Sequence, residues 1–207
     1  MAPIYPVSLK LEGEPCLVIG GGRVAERKVR SLLAAGARVR VISPDLTPWL
    51  AGEALRGTIE HYPRPYRDGD VEGHFLVISA ANDPEVNAGV ARECGSRRVL
   101  LNAVDDPPHC SFFVPASIRR GDFTISVSTA GKSPLLARRV REELERLYGP
   151  VYGAFLEYLA ARRAEIKAGE PDQGARQRRL EACLTQEVMA ALRQGDLERA
   201  KELIDGC

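Results

Sequence analysis

The sequence predicts an α/β fold: a Rossmann-type parallel sheet, then a small α+β dimerisation region, then a helical C-terminal region. Three observations predict it. Short apolar runs alternate with helical stretches from Cys16 to Asn102, which is the rhythm of βαβ units and of a parallel sheet with helices on both faces. A run of glycines joins the first apolar run to the first helical stretch. Beyond residue 110 the alternation gives way to a pair of short strand-like runs and then to helical patterns. The expected boundaries are 1–112 for the sheet domain, 113–148 for the dimerisation region and 149–207 for the helices.

The elements follow in order. Cys16 to Ile19 reads as a buried strand, and Ala25, Val29, Leu32 and Leu33 mark a helix that stops at Gly36. Arg38 to Ile42 is a second strand, ended by Ser43-Pro44-Asp45. A weaker helix covers Thr47 to Leu55, and Thr58 to His61 is a third strand. Tyr62 to Gly73, rich in proline, glycine and charge, is a loop. Phe75 to Ser79 is a fourth strand. Asp83-Pro84 opens a helix with a capping side chain and proline in the first turn, and Arg98 to Asn102 is the fifth strand. Ser111 to Pro115 and Phe123 to Ser128 read as two further strands around Arg120-Gly121-Asp122. Phe123, Ile125 and Val127 alternate, so one face is buried. Ser133-Pro134 caps a helix with the stripe Leu136, Val140, Leu144 and Leu147. Two strands alone are marginal, so this unit is expected to pair with a second copy as a homodimer. Gly149-Pro150 breaks the helix. Val151 to Lys167 is the next one, Ala168 to Gly174 a linker, and Ala175 to Arg193 and Asp196 to Ile204 the last two helices.

Composition narrows the function classes. The 29 basic residues nearly balance 28 acidic ones, for a net charge of +1, which gives no global case for nucleic acid or an anionic membrane. No apolar run approaches the ~20 residues of a membrane span, and Met1 to Lys10 has no signal-peptide pattern. The five cysteines, Cys16, Cys94, Cys110, Cys183 and Cys207, are scattered and form no CxxC pair. That pattern fits a reducing cytoplasm better than a disulfide framework or a zinc site. His109 and Cys110 are neighbours, but no third ligand stands at diagnostic spacing, so no metal is expected.

The sharpest motif is Ile19-Gly20-Gly21-Gly22-Arg23-Val24-Ala25, a G-x-G-x-x-A pattern between a strand and a helix. Gly20 permits the tight turn, Gly22 lets backbone approach a pyrophosphate, and Ala25 allows close packing of helix on sheet. The helix opening at Arg23 and Val24 offers free N–H groups and partial positive charge. A glycine turn serving packing alone is the competing reading. Ser43, Pro44 and Asp45 end the second strand about where a ribose-binding acid is expected; a plain turn is Asp45's other reading. Arg38 and Arg40 lie within the strand rather than after it, which favours NAD over NADP.

Three ordered segments carry a resemblance. Gly20 to Lys28 with Leu32 to Ala37, Asn102-Ala103-Val104-Asp105-Asp106-Pro107 with Cys110-Ser111-Phe112, and Ser128 to Arg138 together resemble the siroheme synthase N-terminal family, over Pro3 to about Leu147. The resemblance implies a homodimeric, NAD-dependent precorrin-2 dehydrogenase producing sirohydrochlorin, and some members also insert ferrous iron. It puts the catalytic aspartate on Asp105, which follows the fifth strand on the edge where ligands of open α/β sheets bind. A carboxylate there can take the proton released as hydride leaves, and burial would raise its pKa toward that task. The Asp105-Asp106 pair has a competing reading as an Asx turn before Pro107-Pro108. The chain departs from the family at Thr129-Ala130, where a serine-glycine pair is common, and carries His109 where relatives often have no metal ligand.

The substrate so implied bears many carboxylates. Thr129, Gly131, Lys132 and Arg138 are the candidates to bind them, through backbone N–H groups at a capped helix and charge-assisted hydrogen bonds. For most of Arg119, Arg120, Lys132, Arg138, Arg139 and Arg141 a solvated helix face is the plainer reading. Core packing is the plainer one for Tyr148, Tyr152, Phe155 and Tyr158. Two other functions stay open: a regulatory NAD-sensing Rossmann module without catalysis, which needs no counterpart of Asn102–Asp105 or Ser128–Ala137, and a ferrochelatase whose dehydrogenase activity is minor.

Overall fold

A computed structural model describes residues 4–81 and 83–205; Pro3, Cys207 and the extreme termini lie outside the described residues. The chain divides into two compact units, Met1–Val114 and Pro115–Cys207.

The first unit is built on a parallel sheet of β1 (Pro15–Ile19), β2 (Arg38–Ile42), β3 (Ile59–Tyr62), β4 (Leu76–Ser79) and β5 (Leu100–Ala103), in the order β3-β2-β1-β4-β5. Strand β1 is central, and its residues alternate between two cores. Cys16 and Val18 pack with Ala25, Val29 and Leu32 of α1 (Arg23–Ala34) and Leu50 of α2 (Pro48–Leu55). Leu17 and Ile19 pack on the other face, with Val90 and Cys94 of α3 (Pro84–Arg97). A strand buried on both faces is apolar at every position, which is why Cys16-Leu17-Val18-Ile19 shows no polar alternation. Each fully buried aliphatic side chain contributes about 1.5–3 kcal/mol, so this doubly covered sheet anchors the unit.

Two helix starts follow their sequence signals. Asp83 accepts from the Glu85 N–H with Pro84 at the first position of α3, and Thr47 accepts from the Leu50 N–H at the start of α2. Strand β5 begins two residues later than expected. Helix α3 continues to Arg97, and Arg98 closes it in the left-handed region with φ of 57°, which takes Arg98 out of extended backbone.

The second unit pairs β6 (Ala116–Arg120) antiparallel with β7 (Phe123–Val127) through Gly121-Asp122. The strand expected at Ser111–Pro115 is displaced to Ala116–Arg120. Ser111 instead turns back along β5, its N–H donating to the Leu101 carbonyl and its Oγ accepting from the Leu101 N–H. Helices α4 (Pro134–Leu147), α5 (Val151–Gly169), α6 (Gln173–Ala182), α7 (Gln186–Gln194) and α8 (Leu197–Asp205) complete the unit. The single helix expected over Ala175–Arg193 is two, because Thr185 caps a fresh start by accepting from the Val188 N–H. Tyr152 and Phe155 are buried in the core of this unit with Val188, Leu192 and Ile204. Tyr152 stacks on Phe123 at 5.3 Å between ring centres, so these aromatic side chains pack the core. Among the described residues no helix is long and apolar enough to cross a membrane.

Candidate functional site

The carboxyl ends of the parallel strands gather the glycine loop, the Ser43–Thr47 loop and the Asp105 loop on one edge. The three glycines of the first loop differ in what surrounds them. Gly20 has φ of 112°, and a Cβ there would stand 2.5 Å from the Ala80 carbonyl oxygen. At Gly21 a Cβ would overlap the Asp45 carbonyl oxygen and crowd Ser43 Oγ. Around Gly22 nothing lies within 4 Å of where a Cβ would be. Gly20 and Gly21 are therefore required by the chain's own packing, whereas the space over Gly22 is open.

Gly22 is also the N-cap of α1 and has no side chain to cap with. Among the described residues, the N–H groups of Arg23 and Val24 find no acceptor. Both residues are exposed. A helix start with unspent donors and an open approach could hold an anion such as a dinucleotide pyrophosphate.

The loop after β2 is fixed to this cradle. The Thr47 N–H donates to the Gly21 carbonyl at 2.9 Å, and Thr47 Oγ1 donates to Glu26 Oε2 at 2.6 Å. That hydroxyl, then Arg30, holds the Glu26 carboxyl below the usual carboxylate range. Ser43 is buried, and its Oγ donates to the Asp45 carbonyl at 2.7 Å, so its hydroxyl shapes the loop. Pro44 and Asp45 are exposed, and among the described residues the Asp45 carboxylate makes no hydrogen bond or ion pair. Arg40 is committed to Glu60 opposite it in the sheet, at 2.8 Å, and Arg38 Nε to the Gly13 carbonyl.

Asp105 follows β5 and holds φ of 60°, a left-handed conformation that costs a non-glycine residue of order 1 kcal/mol or more and that clusters at functional sites. Its side chain is exposed. The two neighbouring aspartates divide the readings between them. Asp106 takes the turn role: its carboxylate pairs with His109 Nδ1 at 2.7 Å, and it starts the short turn Pro107–His109. Asp105 makes no side-chain hydrogen bond among the described residues and points no charge at a protein partner.

Two residues to which the sequence reading gave no role support this loop. Lys28 Nζ donates to Asn102 Oδ1 at 3.3 Å. Asn102, only 8% exposed, donates from Nδ2 to the Phe112 carbonyl at 3.1 Å and toward Cys110 Sγ. Burial, and secondarily Arg27, lowers the Lys28 pKa, while burial raises that of Cys110. Both residues lie within segments singled out by the sequence; their meeting, 74 positions apart in the chain, is tertiary and carries no local signal. Among the described residues no group of three or more His, Cys, Asp or Glu side chains is placed to hold a metal ion.

The candidates at Thr129, Gly131, Lys132 and Arg138 form a group of their own in the second unit. Thr129 Oγ1 accepts from the Ser133 N–H and Ser133 Oγ from the Leu136 N–H, so part of the donor set at the start of α4 is spent internally. Ala130 and Gly131 both have positive φ, 52° and 77°. Lys132 is exposed. Arg138 pairs with Glu142, and Arg120 and Arg141 with Glu145.

The family described as "Putative NAD(P)-binding" matches residues 7–116. "Sirohaem biosynthesis protein central" matches 120–147 and "Sirohaem synthase dimerisation region" matches 151–206. The siroheme synthase of Thioalkalivibrio sulfidiphilus is 39% identical over 201 residues, covering 97% of this chain and 41% of that protein. That of Chromobacterium violaceum is 40% identical over 197 residues, covering 95% and 42%. The chain thus spans about two fifths of the length of these curated relatives. Its fold is similar to that of a solved structure titled "SirC, precorrin-2 dehydrogenase", with a TM-score of 0.79 at 24% identity, covering 99% of this chain and all of that one. With an NAD(P)-binding segment over more than half its length, followed in order by the two sirohaem segments, the chain belongs to the siroheme synthase N-terminal family.

Proposed function

We propose that the chain is an NAD-dependent dehydrogenase that oxidises precorrin-2 to sirohydrochlorin in siroheme biosynthesis, acting as a homodimer in the cytoplasm. The carrying observation is that one sheet edge holds both an open glycine cradle at Gly22 and a carboxylate, Asp105, held in left-handed backbone with no partner among the described residues. A sensing module needs the first of these and has no use for the second.

Gly20, Gly22 and the N–H groups of Arg23 and Val24 would hold the dinucleotide pyrophosphate, and Ser43, Pro44 and Asp45 its ribose side. The unpaired Asp45 carboxylate suits a 2′-hydroxyl and would repel a 2′-phosphate, which favours NAD. When bound, NAD supplies the hydride acceptor. Removal of hydride from precorrin-2 leaves a proton, and the Asp105 carboxylate takes it. The exposed Asp105 carboxylate is ready to accept it without first breaking a hydrogen bond. Thr129, Gly131, Lys132 and Arg138 are proposed to bind substrate carboxylates. The dimer is supported by the matched dimerisation region and by the exposed face of α4. Cytoplasmic location is supported by the free thiols of Cys16, Cys94 and Cys110.

Anaerobic incubation with precorrin-2 and NAD, followed by absorbance, tests the reading. Asp105→Asn keeps shape and removes basicity; sirohydrochlorin formation should fall about a hundredfold to ten-thousandfold with NAD affinity unchanged in calorimetry. Asp106→Ala should be much milder. Wild-type rates from Asp105→Asn would remove Asp105 from the mechanism, and tighter binding of NADP than NAD would overturn the assignment of Asp45.

A further inference from the structure

The Asp105 loop closes on itself at its base. The chain leaves β5 at Ala103, reverses through Asp105 and the turn Pro107–His109, and returns so that the Ser111 N–H reaches the Leu101 carbonyl at 2.8 Å. Inside the loop Cys110 Sγ donates to the Ala103 carbonyl at 3.1 Å. At the same base a side chain adds a second stitch: Asn102 Nδ2 donates to the Phe112 carbonyl, one residue beyond Ser111.

An amide can make that stitch only with its nitrogen facing Phe112, and nothing in a carboxamide's shape fixes which end is which. A lysine ammonium only donates. Lys28 Nζ against Asn102 Oδ1 therefore fixes the amide with its oxygen toward α1 and its nitrogen toward the returning chain at Phe112. Lys28 also lies on the helix whose first turn forms the glycine cradle, about 9 Å along the axis from Gly22 at 1.5 Å per residue.

We propose that Lys28 and Asn102 are positioning residues that hold the Asp105 loop in register with the cofactor cradle, through the chain Lys28 Nζ–Asn102 side chain–Phe112 carbonyl. This rests on the reading of Asp105 given above. Helix α1 then serves both reactants: its N-terminus faces the dinucleotide, and its second turn sets the amide that closes the loop carrying the base. Burying an ammonium against a neutral amide is unfavourable for stability alone, and the lowered pKa of Lys28 records that cost.

The test is Lys28→Met, which keeps the apolar stem and removes the donor. A loop displaced by about an ångström costs up to a hundredfold in rate, so kcat should fall about tenfold to a hundredfold while the calorimetric Kd for NAD stays within about twofold. Amide hydrogen exchange at residues 104–111 should accelerate. Lys28→Arg retains a donor and should recover most of the rate. In the double variant with Asp105→Asn the two losses should not add, because Lys28 acts through Asp105. If Lys28→Met does not fold, Asn102→Ser carries the same expectations. Full kcat and unchanged exchange in Lys28→Met, beside a crippled Asp105→Asn, would overturn the positioning role alone. Full activity in Asp105→Asn would overturn the reading of Asp105 and the inference together.

Discussion

The two units finish their surfaces differently. In the first, Leu17, Val18, Val29, Val41, Val77 and Val90 are wholly buried, and the edge left open is polar backbone and carboxylate. In the second, α4 buries Ala137 but leaves Leu135, Leu136 and Leu147 at 67%, 55% and 55% exposure, and among the described residues each strand of the β6–β7 pair has one unpaired edge. Leu136 and Leu147 stand on one helical face with the half-buried Val140 and Leu144. Apolar side chains so aligned, beside open strand edges, are a surface shaped for another polypeptide. The open edge of the first unit suits a small molecule, though Leu55 stands 91% exposed elsewhere on that unit, and the α4 face of the second suits another chain.

The largest effect expected from this contrast is inside the first unit. Gly21→Ala drives a methyl into the Asp45 carbonyl, and relief requires both loops to move, so destabilisation of about 3 kcal/mol or more is expected in denaturant melts. Gly22→Ala meets nothing and should change stability by less than about 0.5 kcal/mol, yet weaken NAD binding measured by calorimetry. Equal stability losses at the two glycines would erase the distinction between packing glycine and cradle glycine.

Next comes the unfinished face. Leu136→Glu with Leu147→Glu removes two side chains whose burial in a dimer is worth about 1.5–3 kcal/mol each. Sedimentation at micromolar concentration should show monomer, while unit-one properties such as NAD affinity persist. A dimer that survives both substitutions would move the contact to the helices matched as the dimerisation region.

The smallest expected effect is at Ala130. Its φ of 52° strains a residue with a Cβ, so Ala130→Gly should stabilise the second unit by about 1 kcal/mol, read as a higher Tm. A lower Tm would mean that the loop's entropy in the unfolded chain outweighs the relieved strain.

How far the fold was legible follows from the same contrast. Runs such as Arg38–Ile42 and caps such as Asp83-Pro84 and Ser133-Pro134 are local signals, and the elements formed where they pointed. Ser111–Pro115 has strand composition, but Ser111 bonds Leu101 and the Phe112 carbonyl bonds the Asn102 side chain as a returning loop, and only the tertiary position of β5 decides that. The break at Cys183–Thr185 lay hidden under a continuous helical pattern until Thr185 found the Val188 N–H. At the strand ends, the positions of Gly20 and Asp105 were legible from motif and strand order. Gly21 was not, because its requirement is the carbonyl of Asp45 in a separate loop, and Lys28 was not, because its partner is 74 positions away.

The thiol inside the Asp105 loop bears on how the protein withstands chemical attack. Cys110 lies in the same loop as Asp105, and its thiol donates to the Ala103 and Asp106 carbonyls while burial raises its pKa. At neutral pH it stays protonated, and a protonated thiol is a poor nucleophile toward peroxide or disulfide. Cys16 and Cys94 are similarly silenced, with pKa values pushed by burial to about 11 and about 12. These oxidisable sulfurs are thus kept out of reach of chemistry at the strand ends, and alkylating reagents should mark the three thiols slowly while the chain remains folded.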